Sequence, residues 1–379
     1  SGIGKRTVRL LRIEEPAVTA SPRRPNRWQI ETVDDAVGFL CKKARNAFKA
    51  SRRPQILIVG AQGMMTHAIE ADLAARGMVP VVVALDVLLA DGIPDPERFA
   101  CVICAHTDIR RTTAVARAVL AERQLSRLPF EAVTLPASSY PVLRRHQTET
   151  ALEKVSPLPT LPFDVFALYE ASLAHFEKKC DIRDFMDLCQ LMKSIADNGV
   201  PGDVAEFGSY RGHSGYLLAS LMAALELDKR LYLFDTFDAF PEESLGIDRF
   251  WSGSHPVDFQ EVRRKFTPFP FVEFVQGDFT TTFESAGVQR LSMAYVDCDA
   301  YRATAYLIHR LFPDVLAPGG LMVFEDYGHA QLLGNRAAVH EYFDRRPGCV
   351  QFFSQFSGSY IVVKLSATSL SGDGRIEPL

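Results

Sequence analysis

The chain has 379 residues, which is long for one small domain and suits two at roughly 150 residues each. Its 47% hydrophobic and 23% charged residues exclude a disordered or fibrous chain. The 42 lysines and arginines against 46 acids give a net charge of −4, without the basic excess of a dedicated nucleic-acid binder.

No run approaches the roughly 18 apolar residues of a membrane-spanning helix. The basic start SGIGKRTVRLLRIEE has no apolar stretch, so no secretory signal is expected. Seven scattered cysteines predict reduced thiols and a cytoplasmic location.

In chain order, residues 1–30 read as an Arg- and Pro-rich arm. Val33, Val37, Leu40, Ala44 and Phe48 recur at helical spacing over Thr32–Ala50. QILIVGAQG is a buried strand running into a glycine turn, THAIEADLAARG a helix, VPVVVALD a strand, FACVICAH a strand and TTAVARAVLAER a helix. This alternation predicts a Rossmann-like parallel α/β domain over 51–140. Prolines 141, 157, 159 and 162 then mark a linker, followed by helices over Phe166–Lys178 and Asp184–Asn198. A second α/β series occupies 200–365, with strands DVAEFG, RLYLFDTF, FVEFVQGD, SMAYVDCD and GLMVFED and a closing pair CVQFFSQF and GSYIVVKL. Residues 366–379 read as a polar tail. The fold class is therefore α/β, with two Rossmann-like three-layer domains.

The first candidate site is Gly60-Ala-Gln-Gly63, with Asp86 closing the next strand. A dinucleotide site needs a fuller glycine fingerprint than this, so a tight turn is the favoured reading. Cys101 and Cys104 form a C-x-x-C inside an apolar strand with no second pair, which reads as buried small residues rather than redox or zinc chemistry.

The second candidate site is richer. Glu206 ends a strand, and Gly208 and Gly212 shape the turn before a helix whose free N–H groups suit a carboxylate. Asp235 ends the next strand, where an acid can accept both ribose hydroxyls. Asp278 ends the third, where a carboxylate can take a purine amino group. All lie on the carboxyl edge of one sheet, where open α/β sheets bind ligands. Asp297 and Asp299 follow the fourth strand, and Glu325 and Asp326 the fifth. Asp297, Glu325 and Asp326 repel one another unless a hard cation such as Mg²⁺ screens them. Asp299 either joins them or caps the helix that begins near Tyr301. His213 and His329 follow strand ends and could act as a base or an orienting donor. The long polar insert 241–266, carrying Trp251 and His255, is the expected lid or acceptor wall.

The runs VPGDVAEFGSYRGHSG, LYLFDTFDAFP, VDCDAYRATAYLIHRLFPDVLAPGGLMVFEDYG and GNRAAVHEYFDRR resemble the macrocin O-methyltransferase (TylF-like) family over about residues 185–365. The resemblance implies a class I methyltransferase fold and S-adenosylmethionine-dependent methylation of sugar hydroxyls on natural products. It also implies self-association and a Mg²⁺ ion held by carboxylates. It places Glu206, Gly208, Ser209 and Gly212 around the methionine part of the cofactor, Asp235 on the ribose and Asp278 near the adenine. Asp297, Glu325 and Asp326 would be the metal cluster, with Asp297 the base. Two departures are Glu325-Asp326 in place of a paired Asp-Asp, and Cys298 in place of a glycine.

The leading expectation is thus an O-methyltransferase with a small-molecule or glycan acceptor, and neither nucleic acid nor membrane as a partner. The alternative from another class is a non-catalytic scaffold or sensor that binds S-adenosylmethionine or a nucleotide. Such a binder would need Asp235 but not the acidic cluster. A third reading gives the N-terminal half nucleotide chemistry of its own, which the incomplete glycine fingerprint disfavours. The resemblance does not reach residues 1–150, which are expected to position a partner or a large acceptor.

Overall fold

The computed structural model describes residues 32–134 and 161–365, except Pro94, Ser244, Phe250 and Ala330. The expected arm, most of the linker and the polar tail lie outside the described residues. Helix α1 (Val33–Ser51) opens with a capping box, in which the Thr32 hydroxyl accepts the Asp35 N–H and the Asp35 carboxylate takes the Thr32 N–H. Its buried stripe is Ala36, Leu40, Cys41 and Ala44. Then follow β1 (Gln55–Val59), α2 (Met64–Ala74), β2 (Val79–Val83), α3 (Leu85–Asp91), β3 (Phe99–Cys104), α4 (Ile109–Ala121) and β4 (Phe130–Glu131). The four strands run parallel in the order β2-β1-β3-β4.

Two expectations for this half change. Asp86 does not end a strand: β2 stops at Val83 and Asp86 lies in the first turn of α3, so no acid stands where a ribose would need one. Gly60 has a packing explanation, because a Cβ there would come within 2.8 Å of the Ala105 Cβ where β1 and β3 diverge. Cys101 and Cys104 are fully buried in β3, and burial pushes the Cys104 thiol up to about 12. They are inert small residues of the core, and none of the seven cysteines is in a disulfide.

The C-terminal series begins with α5 (Val165–Ser172) and α6 (Ile182–Asp197). Helix α5 ends well before the expected Lys178, because the chain turns at Ser172 to bring Lys179 and Cys180 against His213. Next come β5 (Asp203–Phe207), α7 (His213–Ala224), β6 (Leu231–Asp235), α8 (Phe259–Lys265), β7 (Val272–Gln276), α9 (Phe279–Thr282), β8 (Leu291–Val296), α10 (Tyr301–Asp314), β9 (Leu316–Phe324), α11 (Leu333–Phe343), β10 (Cys349–Phe353) and β11 (Tyr360–Lys364). The sheet order is β10-β11-β9-β8-β5-β6-β7, with β11 antiparallel to both neighbours and β5 to β9 mutually parallel. This is the class I methyltransferase order. Helices α6 and α7 cover one face, burying Phe185, Met192, Leu217 and Leu221. Helices α10 and α11 cover the other, burying Leu307, Leu311, Val339 and Phe343.

Helix α11 serves both sheets. Its Ala338, Val339 and Phe343 belong to the C-terminal core, while Leu333 and Ala337 pack into the N-terminal core with Val115, Val119 and Leu125. Arg117 of α4 also pairs with Asp344 at 3.0 Å. A second junction lies in the 241–266 insert, where a Cβ on Gly246 would overlap the Leu128 carbonyl. The backbone of the insert therefore rests directly on the N-terminal half.

Candidate functional site

The chain leaves β5 toward β6 and β7, then returns to β8 on the other side, so a crevice opens between the carboxyl ends of β5 and β8. Gly208 sits at its floor with φ +97°, and a Cβ there would overlap the carbonyl oxygen of Asp297. Only glycine allows the turn after β5 and the end of β8 to approach this closely. Tyr210 also takes a left-handed φ of 46°, and Gly212 (φ +86°) is the N-cap of α7, facing Phe266.

A cavity of about 250 Å³ occupies the crevice, and Gly208, Ser209, Asp235, Asp278, Asp297 and Glu325 all line it. Glu206, Gly212 and Asp326 stand behind the lining. Asp235 accepts the N–H of Tyr210 at 2.7 Å through Oδ2 and that of Phe237 at 2.7 Å through Oδ1. Burial raises its pKa, with these N–H groups opposing the shift. Asp278 is the N-cap of α9, accepting the Thr280 N–H at 2.9 Å and hydroxyl at 2.7 Å through Oδ1. Its other oxygen is 3.8 Å from Arg302. Glu206 is fully buried. Burial pushes its carboxyl up to about 7, with the Ser214 and Ser209 hydroxyls opposing the shift. The Ser209 hydroxyl also lines the cavity, where a polar ligand would reach it.

Next to the Gly208 turn, carboxylate oxygens of Asp297, Glu325 and Asp326 lie within 4.8 Å of one another. The chain turns at Asp299 (φ 60°), whose N–H donates to Asp326 Oδ2 at 3.1 Å, so Asp299 joins the cluster rather than capping α10. That cap is supplied by Asp248 of the insert, which accepts the N–H groups of Tyr301 at 2.6 Å and Arg302 at 3.0 Å. Burial and then the neighbouring carboxylates Glu325 and Asp299 raise the Asp297 pKa well above the ordinary range. No lysine or arginine among the described residues pairs with the three acids. Clustered, buried, hard oxygen donors fit a divalent cation of the Mg²⁺ type.

Several site residues escaped the sequence reading. Asp184 of α6 is buried beside Glu325, and burial and then that neighbour push it up to about 7. In the sequence it reads only as a helix-start acid, and nothing local points it at β9. Tyr295, Lys179 and Arg211 also line the cavity. His213 is not a base in a loop: it opens α7, and its Nδ1 accepts the N–H groups of Lys179 at 3.0 Å and Cys180 at 3.1 Å. Nε2 is then the protonated nitrogen, 2.9 Å from Ser172 Oγ. Burial depresses its pKa to about 4, which keeps the ring neutral. His329 lies outside the cavity lining. Of the insert, Pro241, Glu243 and His255 form one cavity wall together with the preceding Phe240, and Glu243 is held by Arg302 at 3.2 Å.

Residues 182–347 match the model of the family described as Macrocin-O-methyltransferase (TylF). The chain is 29% identical over 211 residues to an 8-demethyl-8-(2,3-dimethoxy-alpha-L-rhamnosyl)-tetracenomycin-C 4'-O-methyltransferase of Streptomyces olivaceus, covering 52% of this chain and 78% of the relative. It is 29% identical over 174 residues to the mycinamicin III 3''-O-methyltransferase of Micromonospora griseorubida, covering 42% of this chain and 67% of the relative. Among solved structures, the O-methyltransferase NovP aligns with a TM-score of 0.44 at 24% identity, covering 48% of this chain and 80% of that one. Residues 182–347 are thus similar to the TylF family, and the C-terminal half is an S-adenosylmethionine-dependent methyltransferase.

Proposed function

We propose that the protein methylates a hydroxyl of a sugar or glycosylated metabolite with the assistance of Mg²⁺. One observation carries this reading: a single cavity is lined both by the Gly208 turn with Asp235 and by the Asp297 and Glu325 carboxylates. The first group suits a nucleoside that bears an amino acid, and the second suits a polyol. The relatives named above are O-methyltransferases whose names specify rhamnosyl and mycinamicin acceptors.

Asp235 would hold the ribose hydroxyls, Asp278 would face the adenine, and Gly208, Ser209 and Gly212 would border the methionine part. Glu206 would act from behind, through the turn. Asp297, Glu325 and Asp326 would hold the metal. S-adenosylmethionine supplies an electrophilic methyl group, and Mg²⁺ supplies Lewis acidity toward a bound hydroxyl. Asp297 would take the proton of the acceptor hydroxyl. The walls formed by Tyr210, Phe240 and the insert would align the acceptor and limit water.

The test is calorimetric titration with S-adenosylmethionine in Mg²⁺ and then in EDTA, with Asp235→Ala as control. Micromolar binding that is lost in the control supports the assigned cofactor end. Equal affinity in EDTA would put the metal on the acceptor side, and absence of binding in both conditions would overturn the reading.

A further inference from the structure

The catalytic cavity does not end at its aromatic mouth. A groove of about 410 Å³ adjoins it, bounded by His175, Phe176, Val257, Asp258 and Lys265. Lys179 and Arg211 line both compartments and so form the junction between them. Both lie over the ring of Tyr210, with the Lys179 ammonium 5.7 Å and the Arg211 guanidinium 5.3 Å from its centroid. They share the Glu177 carboxylate, at 3.2 Å from Arg211 and 4.0 Å from Lys179. Two cations therefore face one carboxylate, and that carboxylate is 70% exposed.

A third basic residue borders the junction. His255 sits edge-on to Tyr210 at 5.1 Å and to Trp251 at 4.5 Å. Its pKa is lowered, first by burial and then by the positive field of Lys179 and Arg211.

Position narrows the chemistry of the ligand. An anion whose molecule reaches into both compartments carries an organic group on each side. A carboxylate ends a molecule, whereas a phosphate or diphosphate ester joins two parts. A guanidinium fork beside an ammonium suits its several oxygens. Resting on the methyltransferase reading above, we propose that Lys179 and Arg211 bind the phosphate or diphosphate of an activated sugar. Its sugar lies in the catalytic cavity and its leaving portion in the groove. Methylation would then precede the glycosyl transfer that consumes such an ester.

The test uses the full-length protein saturated with S-adenosylhomocysteine in EDTA, titrated calorimetrically with inorganic pyrophosphate and with UDP. Both should bind, and the double variant Lys179→Met/Arg211→Met should weaken both by roughly ten-fold or more. Glu177→Gln should tighten both by removing the competing carboxylate, a gain that misfolding cannot imitate. Equal affinities in wild type and double variant, or no binding to the loaded wild type, would overturn the proposal and leave the methyltransferase reading intact. Failure of S-adenosylhomocysteine itself to bind wild type would instead strike that earlier reading. A double variant that loses S-adenosylhomocysteine but keeps 5'-methylthioadenosine, which lacks the amino-acid part, would assign the cations to the cofactor carboxylate and also overturn the proposal.

Discussion

Asp235 at the end of β6 accepts the backbone N–H of Tyr210 at 2.7 Å, so the acid at one strand end holds the glycine turn of its neighbour. Tyr210 is in the left-handed region, where a non-glycine residue needs such support. Asp235→Ala would remove the proposed ribose acceptor and release the turn together. Calorimetry should show S-adenosylmethionine affinity falling about a hundred-fold or more. A loss below three-fold would remove Asp235 from the cofactor site.

Gly208→Ala should be more damaging than its size suggests. The added methyl would overlap the Asp297 carbonyl in a backbone conformation that disfavours a side chain. Chemical denaturation should show a loss of about 3 kcal/mol or more, with cofactor binding lost as well. An alanine variant of wild-type stability would mean that β5 and β8 tolerate separation.

The acidic cluster predicts stabilisation by cation. Mg²⁺ at a hundred times its dissociation constant should add about 2.7 kcal/mol to wild-type stability. Asp326→Asn should abolish most of this gain while leaving S-adenosylmethionine affinity within a few-fold. Thermal melts with Mg²⁺ and with EDTA would show it, and an identical Mg²⁺ response in the variant would exclude Asp326 as a ligand. Asp297→Asn should in addition abolish methyl transfer.

Burial pushes the carboxyls of Glu206 and Asp248 up to about 7, from ordinary values near 4. The native state therefore binds more protons than the unfolded chain between about pH 4 and 7. Their contribution is fully present below the unfolded pKa and is lost as pH rises through 7. Melting temperature in EDTA should thus climb as pH falls from 7 to 5, each group contributing at most about 1.4 kcal/mol per pH unit. In the double variant Glu206→Gln/Asp248→Asn the slope should be shallower, and an unchanged slope would assign it to other groups.

The strands and the ligand edge were legible because parallel strands buried on both faces leave short apolar runs, and each run here ended in glycine or an acid. Asp297, Glu325 and Asp326 could be brought together on paper because adjacent parallel strands finish at the same level. Asp184 could not, since it arrives on a helix from the covering layer and its local pattern is only that of a helix start. His213 misled for a related reason. Its place after a strand end read as a loop position, yet the turn at Ser172 folds two backbone N–H groups onto it. Asp86 misled because β2 stops at Val83 and a helix begins at once.

Helix α11 bears on how the chain assembles during synthesis. Leu333 and Ala337 pack into the N-terminal core against α4, yet they are made long after it. While the ribosome works through the intervening residues, the apolar surface of α4 that they cover would stay wet and adhesive. The first half of the protein is thus finished by the last quarter of its own chain, and a product released before residue 333 would be a substrate for chaperones or for aggregation.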